Sequence, residues 1–244
     1  MMGYANPMIV CDSADFDGTN DFMLRGAGLT GAADSKSGIL SAWVRIDGGD
    51  GVAARYLEGI TGATTFLFLK NSSNLIAIGG DNAAGTEILL LRTSAAFTAG
   101  ATWLHVLASW DLATAAGHLY INNVSDLGTS TLTADTLDYT LGDWGVGSIT
   151  LSAASANGCL AEFYFAPGQY LDFSNAYNRL KFISASGKPV HLGTTGALPT
   201  GTAPLVYQHL DDAEAVANFA TNRGTGGNFT ITGTLTAGST SPSD

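Results

Sequence analysis

Glutamate is scarce in this chain, and so are basic residues and cysteine. Only Glu58, Glu87, Glu162 and Glu214 occur in 244 residues, none within five positions of another, and no strand-like run carries alternating acids. Chemistry that needs two carboxylates converging on one bond has no obvious pair to use. Ten Lys and Arg against 21 Asp and Glu give a net charge of −11, so a nucleic-acid backbone meets net repulsion and no nucleic-acid partner is expected. No apolar run is long enough to span a bilayer, and no membrane insertion is expected. The first residues, MMGYANPMIVC, have neither a basic region nor an uninterrupted apolar stretch, so no secretory signal is expected. Cys11 and Cys159 are the only cysteines, and two thiols made in a reducing compartment usually stay reduced.

What the chain has in quantity is glycine, 31 residues of it, and strand-like alternation. This texture fits a turn-rich all-β domain, which often reaches such a length as one unit. In TWLHVLASWD one face collects Leu104, Val106, Ala108 and Trp110, and the other Trp103, His105, Leu107 and Ser109, so the strand reads as buried on both sides. The chain resumes with HLYINN, whose Asn122-Asn123 pair suits a tight turn. With the hairpin centred near Ala113-Thr114, His105 faces Asn122 and His118 faces Ser109, so the two histidines form no cross-strand metal pair. Further strand-like runs are TTFLFL, NLIAIGG, TEILLLRT and LDYTLGDWGVG.

Four segments in order carry a resemblance. FDGTNDF (Phe16 to Phe22) sets an aromatic on either side of a turn, SAWVRI (Ser41 to Ile46) follows, then the Trp-x-His-Val strand with its LYINN hairpin, and GCLAEFYF (Gly158 to Phe165) comes late. Together, over roughly residues 9 to 166, they resemble the concanavalin A-like lectin/glucanase superfamily in its laminin-G-like branch. The resemblance implies a two-sheet antiparallel jelly-roll sandwich and, by itself, no chemistry. It also implies that the opening strand and the late strand lie close, which would let Cys11 and Cys159 bridge. The layout expected is an arm at 1–8, a sandwich at 9–210 with one short helix near 174–183 capped by Ser174 or Asp172, and a Gly/Thr-rich tail at 211–244. A strand is expected near Leu205 to His209, and a β-like run at Asn228 to Thr234.

The last third, from YLDFSNAYNRL through NFTITGTL, is similar to the C-terminal part of LamG-like proteins encoded among the structural genes of tailed bacteriophages. This resemblance implies a virion protein: a capsid decoration, head fibre or tail-associated module that docks on other virion proteins, forms a homo-oligomer such as a trimer through residues 1–10 and 211–244, and touches surface glycans. The alternative is a stand-alone carbohydrate-binding module or a host-receptor-binding tail-fibre domain.

Glycosidases of the superfamily carry two Glu and an Asp alternating on one strand. This chain has no such pattern, and no catalytic residue is expected; Glu162 reads as a charge at the sheet rim. Laminin-G-like rims often hold Ca²⁺. The candidate ligands are Asp15 with Asp17, Asp47 with Asp50, and Asp211 with Asp212, although turn chemistry accounts for each pair and no cofactor is expected. Among the tryptophans, Trp43, Trp103 and Trp110 read as core. Trp144, between Gly142-Asp143 and Gly145, is expected to be partly exposed, which makes Trp144, Asp143, Asn122 and Asn123 the candidate ligand-binding residues. GTGGNF at Gly224 to Phe229 lacks a strand-to-helix context and reads as a turn.

Overall fold

A computed structural model describes residues 12–149 and 154–244; the expected arm at 1–8 and Cys11, with its proposed bridge, lie outside them. In chain order the strands are β1 (Ala14–Asp17), β2 (Phe22–Leu24), β3 (Ser37–Ile46), β4 (Ala54–Thr61), β5 (Thr64–Lys70), β6 (Leu75–Asp81), β7 (Glu87–Ala96) and β8 (Leu104–Asp111). There follow β9 (Ala116–Ile121), β10 (Val124–Ser125), β11 (Leu127–Leu132), β12 (Asp143–Val146), β13 (Asn157–Pro167), helix α1 (Ala176–Arg179), β14 (Val206–Gln208), a 3-10 turn at Val216–Ala220, β15 (Thr230–Thr232) and β16 (Thr236–Ala237). They form two antiparallel eight-stranded sheets. The first runs β10-β9-β8-β3-β13-β1-β16 with β14 also on β13, and the second β11-β7-β6-β5-β4-β12-β2-β15. The all-β sandwich expected from the sequence is therefore present. Among the described residues no helix is long and apolar enough to cross a membrane.

Alternation explains the layers. The strand β5 reads in, out, in along TTFLFLK, which sends Phe66 and Phe68 between the sheets and Leu67 and Leu69 outward. Phe66 is the hub: its ring centroid lies 5.8 Å from Trp110, 5.6 Å from Tyr139, 6.0 Å from Trp144 and 4.8 Å from Phe165. Each such buried ring contributes about 1.5–3 kcal/mol against exposure. The polar edges of two rings satisfy each other, since Trp110 Nε1 donates to the Tyr139 hydroxyl at 2.9 Å, and that hydroxyl donates to Ser37 O at 3.1 Å. The hairpin register is the expected one: Ser109 faces His118, and His105 exchanges hydrogen bonds with Asn122.

A second apolar layer covers the outside of the first sheet. Phe173, Phe182, Val190 and Leu192, from the segment after β13, pack on Ile39, Leu107, Tyr164 and Tyr207. This packing shortens the expected helix to four residues. Phe173 and Phe182 are held by the sheet while the residues between face outward, Tyr177 being 74% exposed, and a helix with no buried face does not propagate. Its cap is Asn175, whose side chain accepts from Tyr177 N at 3.0 Å, in place of Ser174 or Asp172.

The segment from Asp211, read above as a tail, is woven into both sheets. Strand β15 pairs with β2 in the second, β16 pairs with β1 in the first, and Phe219, Phe229 and Leu235 enter the core.

Candidate binding rim

One end of the sandwich gathers six of the candidate polar residues. Strands β3, β5, β7 and β9 finish there and β8 and β13 begin there, as the registers Ile46↔Gly158, Val44↔Leu104 and Ile121↔Val106 require. This near end carries Asp15, Asp17, Asp47, Asp50, Asn122 and Asn123. The second apolar layer reaches toward it with Ile183 on Trp43 and Ala161, and Trp103 packs at its margin.

At that margin stands Trp103, half-buried at the foot of β8, with the Arg45 guanidinium 5.8 Å from its ring centroid and its Nε1 donating to Thr240 Oγ1 at 3.2 Å. Arg45 forms a two-pronged pair with Asp47, both contacts 2.7 Å, and donates to Thr240 Oγ1 at 2.5 Å. The Asp47 pair holds the guanidinium above its usual range against the pull of partial burial. Behind it the buried Cys159 thiol lies 3.6 Å from Asp15 Oδ1 and 3.8 Å from Asp47 Oδ2. Burial first, and the Asp15 charge second, push that thiol up to about 12, so it is neutral and unreactive at ordinary pH. A half-buried ring beside the exposed Asp47 carboxylate can stack on and accept hydrogen bonds from a polyhydroxylated ligand, with Arg45 bracing both.

The sequence pairing of the acids does not survive folding. Asp15 meets Asp47, and with Cys159 these donor atoms lie within 4.8 Å of one another. Asp17 is spent on its own turn, accepting from Thr19 N, Asn20 N and Asp21 N; burial alone would raise its pKa, and the three bonds together outweigh it and lower it. Asp50 accepts from Ala99 N at 2.9 Å. The charge at this rim is met by the protein's own cations. Beside Arg45, the buried Lys70 sends Nζ to Gly49 O at 2.6 Å, Val52 O at 3.1 Å and Asn74 Oδ1 at 3.0 Å, an oxygen cradle that fixes the loop between β3 and β4. Asp211 pairs with Arg223 at 3.0 Å rather than with Asp212.

The other candidates fall elsewhere. Trp144 is fully buried, contrary to its expected exposure, because Gly59 on the neighbouring strand leaves room for its ring; a Cβ there would sit 2.8 Å from it. The flanking glycines that suggested a loop serve close packing instead. Asp143 begins β12 at the far end, with its carboxylate accepting from Trp144 N at 2.8 Å. Asn122 and Asn123 turn with φ of 50° and 65°. The Asn122 side chain accepts from His105 N at 2.7 Å, and that of Asn123 accepts from Arg179 Nε at 2.6 Å. His105 is buried, bonded to Ser41 Oγ at 2.9 Å and held by burial at about 3, hence neutral.

Glu162 is no rim charge. On one side of β13, pairing passes from β1 to β14 at this point, while the register with β3 on the other side slips between Ala161 and Tyr164. Glu162 occupies the irregularity with φ of 47° and is 3% exposed. Its carboxylate accepts from Tyr207 Oη at 3.0 Å and from His209 Nδ1, and His209 Nε2 reaches Asp211 Oδ1 at 2.9 Å. Sequence reasoning missed this chain and also the partial exposure of Trp103, which packs on the Trp43 cluster without being enclosed by it; its one signal for the latter was that Trp103 heads the strand, next to a Gly-Ala-Thr loop.

This is a lectin-like sandwich with an aromatic, charged rim. Residues 18–168 match the profile of the Concanavalin A-like lectin/glucanases superfamily, and the chain belongs to that superfamily. No curated protein sequence matches it significantly. A solved structure of a candidate carbohydrate binding protein from Bacteroides ovatus is similar over 95% of this chain, with 15% identity and a TM-score of 0.63; the chain spans 60% of that protein's length. The heptameric SAP-like pentraxin of Limulus polyphemus matches over 93% of this chain and 94% of its own, with 10% identity and a TM-score of 0.55. At such identities the likeness is one of fold.

Proposed function

We propose that this protein is a non-enzymatic adhesion module of a tailed-bacteriophage particle, a capsid decoration, head fibre or tail-associated component that docks on other virion proteins and contacts surface glycans through the near-end rim. The observation that carries the binding part is the edge at Trp103 and Asp47, where a half-buried ring and an exposed carboxylate stand side by side, braced by the Arg45 guanidinium between Asp47 and Thr240. The superfamily and the description of the Bacteroides ovatus protein as a candidate carbohydrate binder support it. The non-enzymatic part rests on the acids. Glu58 is bonded to Arg55 at 2.6 Å, Glu162 to His209 and Tyr207, and Glu214 to Arg223 at 2.7 Å, so these three carboxylates are committed and face different neighbours.

The virion part rests on the sequence of the last third. A stand-alone glycan-binding or receptor-binding domain is the alternative, and the two part on one experiment. A mass-spectrometric inventory of purified particles is expected to contain the chain at a fixed ratio to the major capsid or tail protein. Its absence from particles, with glycan-array binding retained, would leave the stand-alone module.

A further inference from the structure

At the near end, in the mouth between the two sheets, lies a hollow of about 270 Å³ bounded by Ile46, Leu104 and the loop that joins β7 to β8. Ile46 and Leu104 belong to the inter-sheet core and Phe97 packs against it, so the floor is apolar. Among the described residues no charged side chain lines it. Its polar side chains are Thr98 and Thr102, whose Oγ1 atoms take no hydrogen bond from a described residue. The loop is set without a ligand: Phe97 N donates to Asn74 O at 2.8 Å, Ala99 N to Asp50 Oδ1 at 2.9 Å and Gly100 N to Ile46 O at 2.9 Å, so binding need not order it. Thr102 immediately precedes Trp103 and Ile46 immediately precedes Asp47. The hollow therefore lies just across the ends of β8 and β3 from the ring and carboxylate of the rim.

We infer, resting on the glycan-binding role proposed above for the rim, that this hollow is a specificity subsite for the acetamido group of an N-acetylated amino sugar, with the neighbouring sugar ring of the same glycan stacked on Trp103. Its size is below the range of about 300–1,000 Å³ that takes a whole small ligand, so it takes one substituent. An acid or an amine would be desolvated there with no opposite charge to meet it. A bare hydroxyl would leave the apolar floor unused, and a bare methyl would displace water from the two threonine hydroxyls without replacing its hydrogen bonds. An acetamido group answers both halves of the hollow. Its methyl covers Ile46, Phe97 and Leu104, its N–H donates to one threonine hydroxyl and its C=O accepts from the other, since a hydroxyl serves in either sense.

Calorimetric titration of the full chain with two trimers of the same β-1,4 linkage, one of N-acetylglucosamine and one of glucose, tests this. Enclosing one methyl in an apolar pocket is worth about a factor of ten, so the N-acetylated trimer is expected to bind about tenfold tighter. A Cβ at Gly100 meets nothing within 4 Å, so Gly100→Leu fills open space at the hollow and is expected to cancel the preference with unchanged circular dichroism. Thr102→Val serves where that variant fails to fold: it keeps the shape, removes one hydroxyl and should cut the preference about fivefold. Trp103→Ala should weaken both trimers alike. Equal affinities that fall together in Trp103→Ala would overturn the subsite and keep the rim. A preference abolished by Gly100→Leu, with both affinities unmoved by Trp103→Ala, would keep the subsite and overturn the rim. Binding of neither trimer, or a preference that Gly100→Leu and Thr102→Val both leave intact, overturns the subsite.

Discussion

His209 Nδ1 is hydrogen-bonded to the buried carboxylate of Glu162, tying β14 to the one irregular point of β13. Burial alone would lower the imidazole pKa, but the Glu162 bond and charge, with Asp211 on the other nitrogen, outweigh it and raise the pKa above 6.5. A raised histidine contributes stability that is complete below the unfolded value, about 6.5, and disappears as pH climbs through the folded value. Stability is expected to fall on the alkaline side of neutrality, and His209→Gln should abolish the slope between about pH 6.5 and 8, below the range where the buried Cys159 thiol adds its own alkaline loss. Urea melts of both proteins from pH 6 to 9 check it. At pH 6 the variant should lose about 3–5 kcal/mol, because it strands a buried charge. His105 acts in the opposite sense, since its neutral form is buried and acid below about pH 6.5 destabilises it, so the slope between about pH 6.5 and 8 reports on His209.

Packing around Trp144 gives a second expectation. A methyl group at Gly59 would lie 2.8 Å from both the Trp144 ring and Leu141 Cδ1, so Gly59→Ala should cost about 1–3 kcal/mol by overpacking. Thermal melting is the check; a change under about 0.5 kcal/mol would mean that the ring shifts freely.

How much of this was legible follows from these residues. Period-two alternation marked β5, where one face is buried, whereas β3, β8 and β13, buried on both faces, were marked by short continuous apolar and aromatic runs. Trp144 misled because Gly142 and Gly145 look like loop residues, and only the partner strand's Gly59 shows that glycine here makes room for a ring. Glu162 was unreadable because its partners His209 and Tyr207 lie more than forty positions away. The β15 and β16 pairings escaped notice because two- and three-residue strands in a Gly/Thr-rich segment carry no period. The rim itself is a product of where the covering layer ends, which no local pattern records.

The rim's own cations bear on metal dependence. Lys70 holds the Gly49 and Val52 carbonyls and Arg45 the Asp47 carboxylate, so EDTA is expected to leave the melting temperature within about one degree, well under what 1 kcal/mol would produce. Lys70→Met should cost about 1–3 kcal/mol by removing three hydrogen bonds that a buried ammonium makes to the loop. A large EDTA effect on the wild type would contradict this reading.

Hydrolysis gives a sharper outcome. Laminarin, agarose and carrageenan should release no reducing sugar. Release that vanishes in Glu162→Gln would make that carboxylate catalytic and end the non-enzymatic reading.

The central claim is that the near-end rim binds ligand, and calorimetric titration with the strongest binder from a glycan array tests it most directly. Loss of one stacked ring is worth about 1.4 kcal/mol, a factor of ten. Trp103→Ala is therefore expected to weaken binding about tenfold, while Asp143→Ala, at the far end of the sandwich, leaves it unchanged. Binding that survives Trp103→Ala and fails in Asp143→Ala, or an array with no binder at all, would contradict the account.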